Sequence, residues 1–192
     1  MKDALVIIAG LITVGAVIPY ILDILKGKTK PNLVSWITWT LLTGLATSAA
    51  ISAGEIRTAI FTGAAVIGTM LVVLLGLRKG YVKYTRFDVC CQLGVVLGLL
   101  LWQLFDSPAA AVIASVVIDF IGAMPTIRHS WQKPHEETWL AYAISSFGGV
   151  LAVFSLENYN WVSLPYAIYI VVANIIILIV LFSSPNREAK AS

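Results

Sequence analysis

The chain has 192 residues and a formal net charge of +3; 59% of its residues are hydrophobic and only 12% are charged. A typical soluble domain carries about 25% charged residues, and a soluble fold of this length needs far more polar surface to cover its core. The basic residues lie at the ends of apolar runs rather than among aromatic residues, which argues against a nucleic-acid partner. This composition indicates an integral membrane protein.

Seven segments are apolar enough to be membrane spans, since a helix crosses a bilayer with about 20 mostly apolar residues. In chain order they lie at roughly 4–24, 33–52, 57–77, 87–105, 108–128, 138–156 and 162–183. The first follows Met1, Lys2 and Asp3 directly and has no small-residue cleavage site, so we expect a retained span rather than a signal peptide. Because the connections are short, we expect an all-α membrane protein whose function lies among its helices or at their mouths.

The lysines and arginines fall almost entirely on one side of these seven spans. The 11 of 13 that follow spans 1, 3, 5 and 7 are Lys26, Lys28, Lys30, Arg78, Lys79, Lys83, Arg86, Arg128, Lys133, Arg187 and Lys190. Lys2 and Arg57 fall on the other side. Because positively charged loops stay in the cytoplasm, the sequence predicts a multi-pass protein of the plasma (inner) membrane, with its amino terminus outside and its carboxy terminus cytoplasmic.

Two stretches about a hundred residues apart repeat the same features. The residues that match at an offset of 106 or 103 positions are Pro19 and Pro125, Lys30-Pro31 and Lys133-Pro134, Trp36 and Trp139, and Trp39 and Tyr142. Spans 1–3 therefore correspond to spans 5–7 in the same orientation. The sequence predicts a first three-helix bundle at 1–80, an inverting linker helix at 81–106, and a second three-helix bundle with a short cytoplasmic tail at 107–192. The alternative is coincidental reuse of these residue types at helix ends.

This 3+1+3 order, with a proline late in the first helix of each bundle, resembles the SWEET and PQ-loop transporter superfamily over nearly the whole chain. The resemblance implies that Pro19 and Pro125 act as hinges between outward-open and inward-open states. The glutamine of the family's Pro-Gln pair is replaced by Tyr20 and Thr126, and the asparagine expected in the third helix of each bundle occurs only as Asn174. The family's tryptophan in the outer half of the second helix is also missing. These departures weaken the case for a sugar as substrate.

Polar side chains gather at one depth in the predicted spans. At 1.5 Å per residue, Asp119 lies ~16 Å and Asn174 ~18 Å into a hydrocarbon core that is ~30 Å thick. The other polar residues at similar depth are Thr13, Thr43, Thr69, Ser145 and Ser146. Transporters built from repeats bind their substrate near the midplane, between the repeats, so we predict that these seven residues form the substrate site.

Asp119 is the only carboxylate near the centre of any predicted span. A desolvated carboxyl group readily holds a proton, so we predict that Asp119 couples transport to protons or binds a cation. The alternative is a structural aspartate that is hydrogen-bonded to Asn174 or to a serine. Asn174 itself would hold a hydroxylated or amide-bearing substrate, or else tie two helices together.

Four aromatic residues, Trp36, Trp39, Trp139 and Tyr142, lie near the predicted cytoplasmic ends of spans 2 and 6. We predict that they form an inner gate. An aromatic belt at the membrane interface is the alternative for the same residues.

Together these features predict a membrane transporter for a small polar solute, a sugar or a similar metabolite, which works by alternating access. Two versions stay open: a facilitator, and a transporter that is coupled to protons through Asp119. The alternative is a non-transporting ligand-binding membrane receptor or structural bundle of the same fold. An enzyme is not expected, because His129 and His135 lie at the inner edge without a nucleophile–base pair or a metal cluster. No cofactor or metal is expected. A monomer is sufficient, and a homo-oligomer is also compatible with the sequence.

Overall fold

The structure is a computed structural model that describes residues 2–52, 56–79, 84–102, 104, 108–156, 158–161 and 163–185. Every regular element within these residues is helical. The α-helices are α1 (Lys2–Gly15), α2 (Val17–Leu25), α3 (Leu33–Ser52), α4 (Ile56–Arg78), α5 (Arg86–Trp102), α6 (Pro108–Gln132), α7 (Trp139–Ser155) and α8 (Leu164–Ser183), and a 3₁₀ helix spans Pro134–Glu136. The all-α prediction is confirmed. Lys83, Arg187 and Lys190 lie outside the described residues.

Three helical stretches in the described part of the chain are long and apolar enough to cross a membrane by length and composition. They are Ala4–Leu25, Ala110–Gln132 and Leu164–Ser183. Thr62–Arg78 and Trp139–Ser155 are shorter apolar helices. These stretches indicate a membrane protein, whereas seven complete crossings and the orientation of the termini remain predictions.

The helices expose large apolar side chains on their outer faces. Leu11 of α1 is 61% exposed, Ile67 of α4 is 65% exposed and Phe154 of α7 is 64% exposed. Such side chains would be costly to leave in water, and soluble monomers rarely expose large continuous apolar surface. A lipid environment removes that cost.

The two matched prolines affect their helices differently. Pro19 lacks an N–H and crowds the carbonyl four residues earlier, and α1 ends at that residue, Gly15, before α2 begins at Val17. Pro125, in contrast, lies inside the continuous helix α6. The N–H of Thr126, the next residue, donates to the hydroxyl of Ser35 in α3 at 3.2 Å. The helix assignment is therefore broken between α1 and α2, whereas α6 is continuous and is hydrogen-bonded to α3.

The helices of the two predicted bundles pack in the same order. In the first group α4 contacts α1, α2 and α3, and in the second group α8 contacts α6 and α7. Between the groups, α1 and α2 pack against α7, while α3 packs against α6. The remaining helix, α5, packs mainly on α6 and also contacts α3. The third helix of each group therefore lies next to both of its partners.

The contact between α1 and α7 depends on a glycine. A Cβ atom placed on Gly148 would lie 2.5 Å from the hydroxyl oxygen of Thr13 and 3.3 Å from the carbonyl oxygen of Ala9. The Thr13 hydroxyl cannot easily move, because it donates to that same carbonyl at 2.8 Å. Small residues of this kind let two helix backbones approach closely.

We expect Gly148→Ala to destabilise the protein by about 1–3 kcal/mol, which is the usual cost of adding an atom to a packed interior. Gly44→Ala in α3 is the matched control, because a Cβ there meets nothing within 4 Å. The control should be neutral or stabilising by up to about 1 kcal/mol, since alanine favours a helix more than glycine does. Thermal unfolding in detergent measures both, and equal effects of the two substitutions would contradict the close approach.

Candidate functional site

A cavity of about 210 Å³ lies between the two groups of helices. Its lining comes from α1 to α4 on one side and from α6 to α8 on the other, and none of the described residues of α5 takes part. The cavity therefore lies where the two predicted bundles meet.

Six of the seven predicted substrate residues line this cavity. They are Thr13, Thr43, Thr69, Asp119, Ser145 and Asn174. Ser146 is buried but is not part of the lining. Depth along α7 does not distinguish these two neighbours, whereas their orientation about the helix axis does. The structure thus separates two neighbours that the depth argument had grouped together.

The threonine hydroxyls in the cavity already use their protons within their own helices. Thr13 donates to Ala9 O at 2.8 Å, and Thr43 donates to the carbonyl oxygen of Trp39 at 2.7 Å. Thr69 donates in the same way to its own helix, to the carbonyl oxygen four residues earlier, at 3.0 Å. A hydroxyl group that has donated its proton still accepts hydrogen bonds. These three residues therefore offer mainly acceptors to a ligand.

Asp119 is 4% exposed and is held by aromatic donors. The indole Nε1 of Trp39 donates to its Oδ1 at 2.8 Å, and the hydroxyl of Tyr166 donates to its Oδ2 at 3.1 Å. Asn174, which the sequence had suggested as a partner, instead donates from its Nδ2 to Ile170 O in its own helix at 2.7 Å. The hydrogen bond from Trp39 links the first group of helices to the second.

Tyr166 and Tyr169 of α8 line the cavity as well, although the sequence pattern did not predict them as site residues. They belong to a stripe in which lining residues recur every three or four positions towards Asn174, at Ile170 and Ala173. Such spacing marks one face of a helix. Asn174 therefore indicated which face of α8 lines the cavity, and the positions three and four residues apart from it could have been predicted from the sequence.

Three of the four predicted gate aromatics, Trp36, Trp39 and Tyr142, line the cavity, and Tyr20 joins them. The ring centroids of Tyr20 and Trp36 are 4.5 Å apart, and those of Trp36 and Trp39 are 5.0 Å apart. Trp139 is different, because it is 51% exposed and packs against Phe182 outside the cavity. Its position fits the alternative interpretation as an interfacial aromatic residue.

Next to the lining residues Tyr20 and Tyr142, at the end of the cavity that we call the inner end, lies a further carboxyl group to which the sequence did not point. Glu137 lies just before α7 and is 7% exposed. Its Oε2 accepts hydrogen bonds from the hydroxyl groups of Tyr20, at 2.9 Å, and Tyr142, at 2.8 Å. Trp36 Nε1 in turn donates to the Tyr20 oxygen at 3.2 Å. This cluster joins α2 and α3 of the first group to α7 of the second.

Burial raises the pKa of Glu137 to about 8, and the neighbouring charge of Glu136 adds to that increase. The hydrogen bonds from Tyr142 and Tyr20 act in the opposite direction but are the weaker influence on this pKa. The other oxygen, Oε1, is buried and has no hydrogen-bond partner among the described residues. Glu137 is therefore mostly protonated at neutral pH.

Further contacts between the two groups surround the inner end. The hydroxyl oxygens of Thr29 and Thr138 are 2.5 Å apart, and Thr138 donates to Asp23 at 3.1 Å. The backbone N–H of Lys30 donates to Glu136 O at 2.9 Å, and the side chains of these two residues form an ion pair. Hydrogen bonds and an ion pair thus connect the segment after α2 to the segment before α7.

Comparisons with protein-family models, with curated proteins and with solved structures find no match. Within the described ranges, no group of three or more His, Cys, Asp and Glu residues is placed to hold a metal ion. The interpretation of the cavity therefore depends on its own geometry.

The raised pKa of Glu137 makes stability depend on pH. The ordinary value is 4.5 and the value in the folded chain is about 8, so the folded chain binds this proton more tightly than the unfolded chain does. The stabilising contribution is complete below pH 4.5 and is lost as the pH rises through about 8. We expect the unfolding temperature in detergent to fall between pH 5 and 8 and to level off above that range.

Glu137→Gln is the control, because its amide oxygen still accepts both tyrosine hydrogen bonds but does not titrate. The variant should have a clearly flatter pH profile of the unfolding temperature than the unsubstituted protein. An unchanged profile would show that Glu137 does not cause the pH dependence of stability.

Proposed function

We propose that the chain is a multi-pass membrane transporter for a small polar solute, and that it works by alternating access between two three-helix bundles. One observation carries this proposal: a cavity is lined by both groups of helices, and hydrogen bonds and an ion pair connect those groups beside its inner end. A site at such a junction opens to one side or the other when the bundles rock against each other.

The packing of the helices supports the division into bundles at 1–80 and 107–192 with a linker at 81–106. α4 contacts every other helix of its group, and α8 does the same in the second group. α5 lies beside α6 and contributes none of the described residues that line the cavity. This position suits a helix whose role is to reverse the direction of the chain between two bundles of the same orientation.

The distribution of charge supports an orientation in which the inner end faces the cytoplasm. The segment that carries Lys26, Lys28 and Lys30 follows α2, and Lys133 follows α6. Both segments lie at the inner end, where Lys30 pairs with Glu136. Because positively charged loops remain cytoplasmic, the contacts at the inner end would hold the two groups of helices together on the cytoplasmic side.

Asp119 is the residue best suited to couple transport to protons. Its two oxygens accept hydrogen bonds from the neutral side chains of Trp39 and Tyr166, and the described lining of the cavity contains no Lys, Arg or His. A buried carboxylate without a cationic partner is costly. A proton or a positively charged solute removes that cost.

We expect Asp119→Asn to abolish pH-dependent transport while the protein still folds, because the amide keeps the carboxyl group's shape but cannot exchange a proton. The measurement is uptake into proteoliposomes of sugars, amino acids and small vitamins, with and without a pH gradient. Thermal unfolding controls for folding. Normal transport by the variant across a pH gradient would exclude Asp119 as the proton carrier.

Cross-linking the inner end tests alternating access. The hydroxyl oxygens of Thr29 and Thr138 are 2.5 Å apart, so cysteines at these positions lie within reach of a disulfide. In a background in which Cys90 and Cys91 are replaced by serine, we expect oxidation of Thr29→Cys/Thr138→Cys to stop uptake and reduction to restore it.

The single-cysteine variants are the matched controls and should transport equally well before and after oxidation. If the cross-linked protein transports at the uncross-linked rate, the inner end does not open during the cycle. If the protein binds a solute that never crosses the vesicle membrane, it is instead a non-transporting receptor of the same fold.

A further inference from the structure

We propose that the cavity selects a small organic cation of the quaternary ammonium type, which is held between aromatic rings with Asp119 as its counter-ion. The transport of this cation rests on the proposed function above, whereas its binding can be tested separately. Three independent properties of the cavity lead to this inference: its aromatic surface, its charge and its hydrogen-bonding groups.

Six of the described residues that line the cavity are aromatic. They are Tyr20, Trp36, Trp39, Tyr142, Tyr166 and Tyr169. They come from both groups of helices and form two sets, one around Trp36 and one in which Tyr166 and Tyr169 have ring centroids 5.9 Å apart. Asp119 joins the two sets, because it accepts hydrogen bonds from Trp39 and Tyr166. Several ring faces around one site are the usual environment of a quaternary ammonium group.

The charge of the lining also favours a cation. Asp119 is the one acidic residue among the described lining residues, and no Lys, Arg or His is found among them. A cation between the rings would compensate the buried negative charge, and its own desolvation would be offset by the ring faces. An anion would find no positively charged partner here. A solute that carries its own carboxylate, such as an amino acid, would leave that group unpaired.

The hydrogen-bonding groups add the third property. Thr13, Thr43 and Thr69 have donated their protons to backbone carbonyl groups, so they present acceptor oxygens. A single hydroxyl donor on the cation would satisfy one of them, whereas a sugar brings many hydroxyl groups that also need donors. The volume of about 210 Å³ is below the range of about 300–1,000 Å³ that is usual for larger ligands, so the cation is small.

Choline is a suitable probe, because it combines a trimethylammonium group with one hydroxyl group. Its uncharged analogue 3,3-dimethyl-1-butanol has the same shape, with carbon in place of the nitrogen. We expect calorimetric titration of the purified full-length protein in detergent to give at least about tenfold tighter binding of choline than of the analogue. Equal binding of the two compounds, or no saturable binding of choline, would overturn the inference.

Substitutions then locate the site. Asp119→Asn should weaken choline binding by at least about tenfold and weaken the binding of the uncharged analogue much less, since the lost charge matters only to the cation, whereas the replacement of one acceptor oxygen by an NH2 donor affects both compounds. Trp39→Leu should weaken choline binding, whereas Trp139→Leu is its matched control, because Trp139 lies outside the cavity. Equal effects of the two tryptophan substitutions would contradict a site in this cavity. The comparison of choline with its analogue in the unsubstituted protein remains decisive if a variant does not fold.

A flux measurement separates this inference from the proposed function. If choline binds to the protein but is not taken up by proteoliposomes, the cation site stands and the transporter proposal is wrong. If the same vesicles accumulate a neutral sugar while choline neither binds nor competes, the transporter proposal stands and the cation site is wrong.

Discussion

Two buried carboxyl groups at the junction of the two groups of helices determine how the rest of the structure is organised. Asp119 and Glu137 are each held by hydrogen bonds from neutral aromatic side chains. Such bonds satisfy the oxygen atoms but do not neutralise the negative charge, so each carboxyl group favours a bound proton or a nearby cation. In both clusters at least one donor comes from the opposite group of helices. Each carboxyl group therefore connects one group of helices to the other.

The packing is nearly symmetrical, whereas the chemistry is not. The third helix of each group contacts its partners in the same order, and small residues such as Gly148 allow the groups to approach closely. At the positions that the predicted repeat matches, however, Thr13 corresponds to Asp119, and the buried Trp36 corresponds to the exposed Trp139. The predicted repeat is therefore unequal where the two groups of helices meet, and Asp119 is the one acidic residue among the described residues that line the cavity.

Polar contacts connect the two groups of helices at the inner end of the cavity. At the inner end, the segment after α2 is fastened to the segment before α7 by Tyr20, Thr29 and Lys30. These contacts involve residues from short connections as well as from helices, and they are polar and partly ionic. Polar contacts of this kind can be exchanged for contacts with water at modest cost, as the proposed function requires of the inner end.

The hydrophobic pattern by itself determined the helices, because a run of about 20 apolar residues has few alternatives to a long helix. The bounds of α3, α7 and α8 agree closely with those expected, and counting residues placed Asp119 and Asn174 at the level of the cavity. The rotation of each helix about its axis depends on packing. Only the tertiary structure therefore decided that Ser145 lines the cavity, whereas Ser146 is buried outside the lining. Glu137 was missed for a related reason: it lies in a polar connection, and its burial depends on Tyr20, 117 positions earlier in the chain.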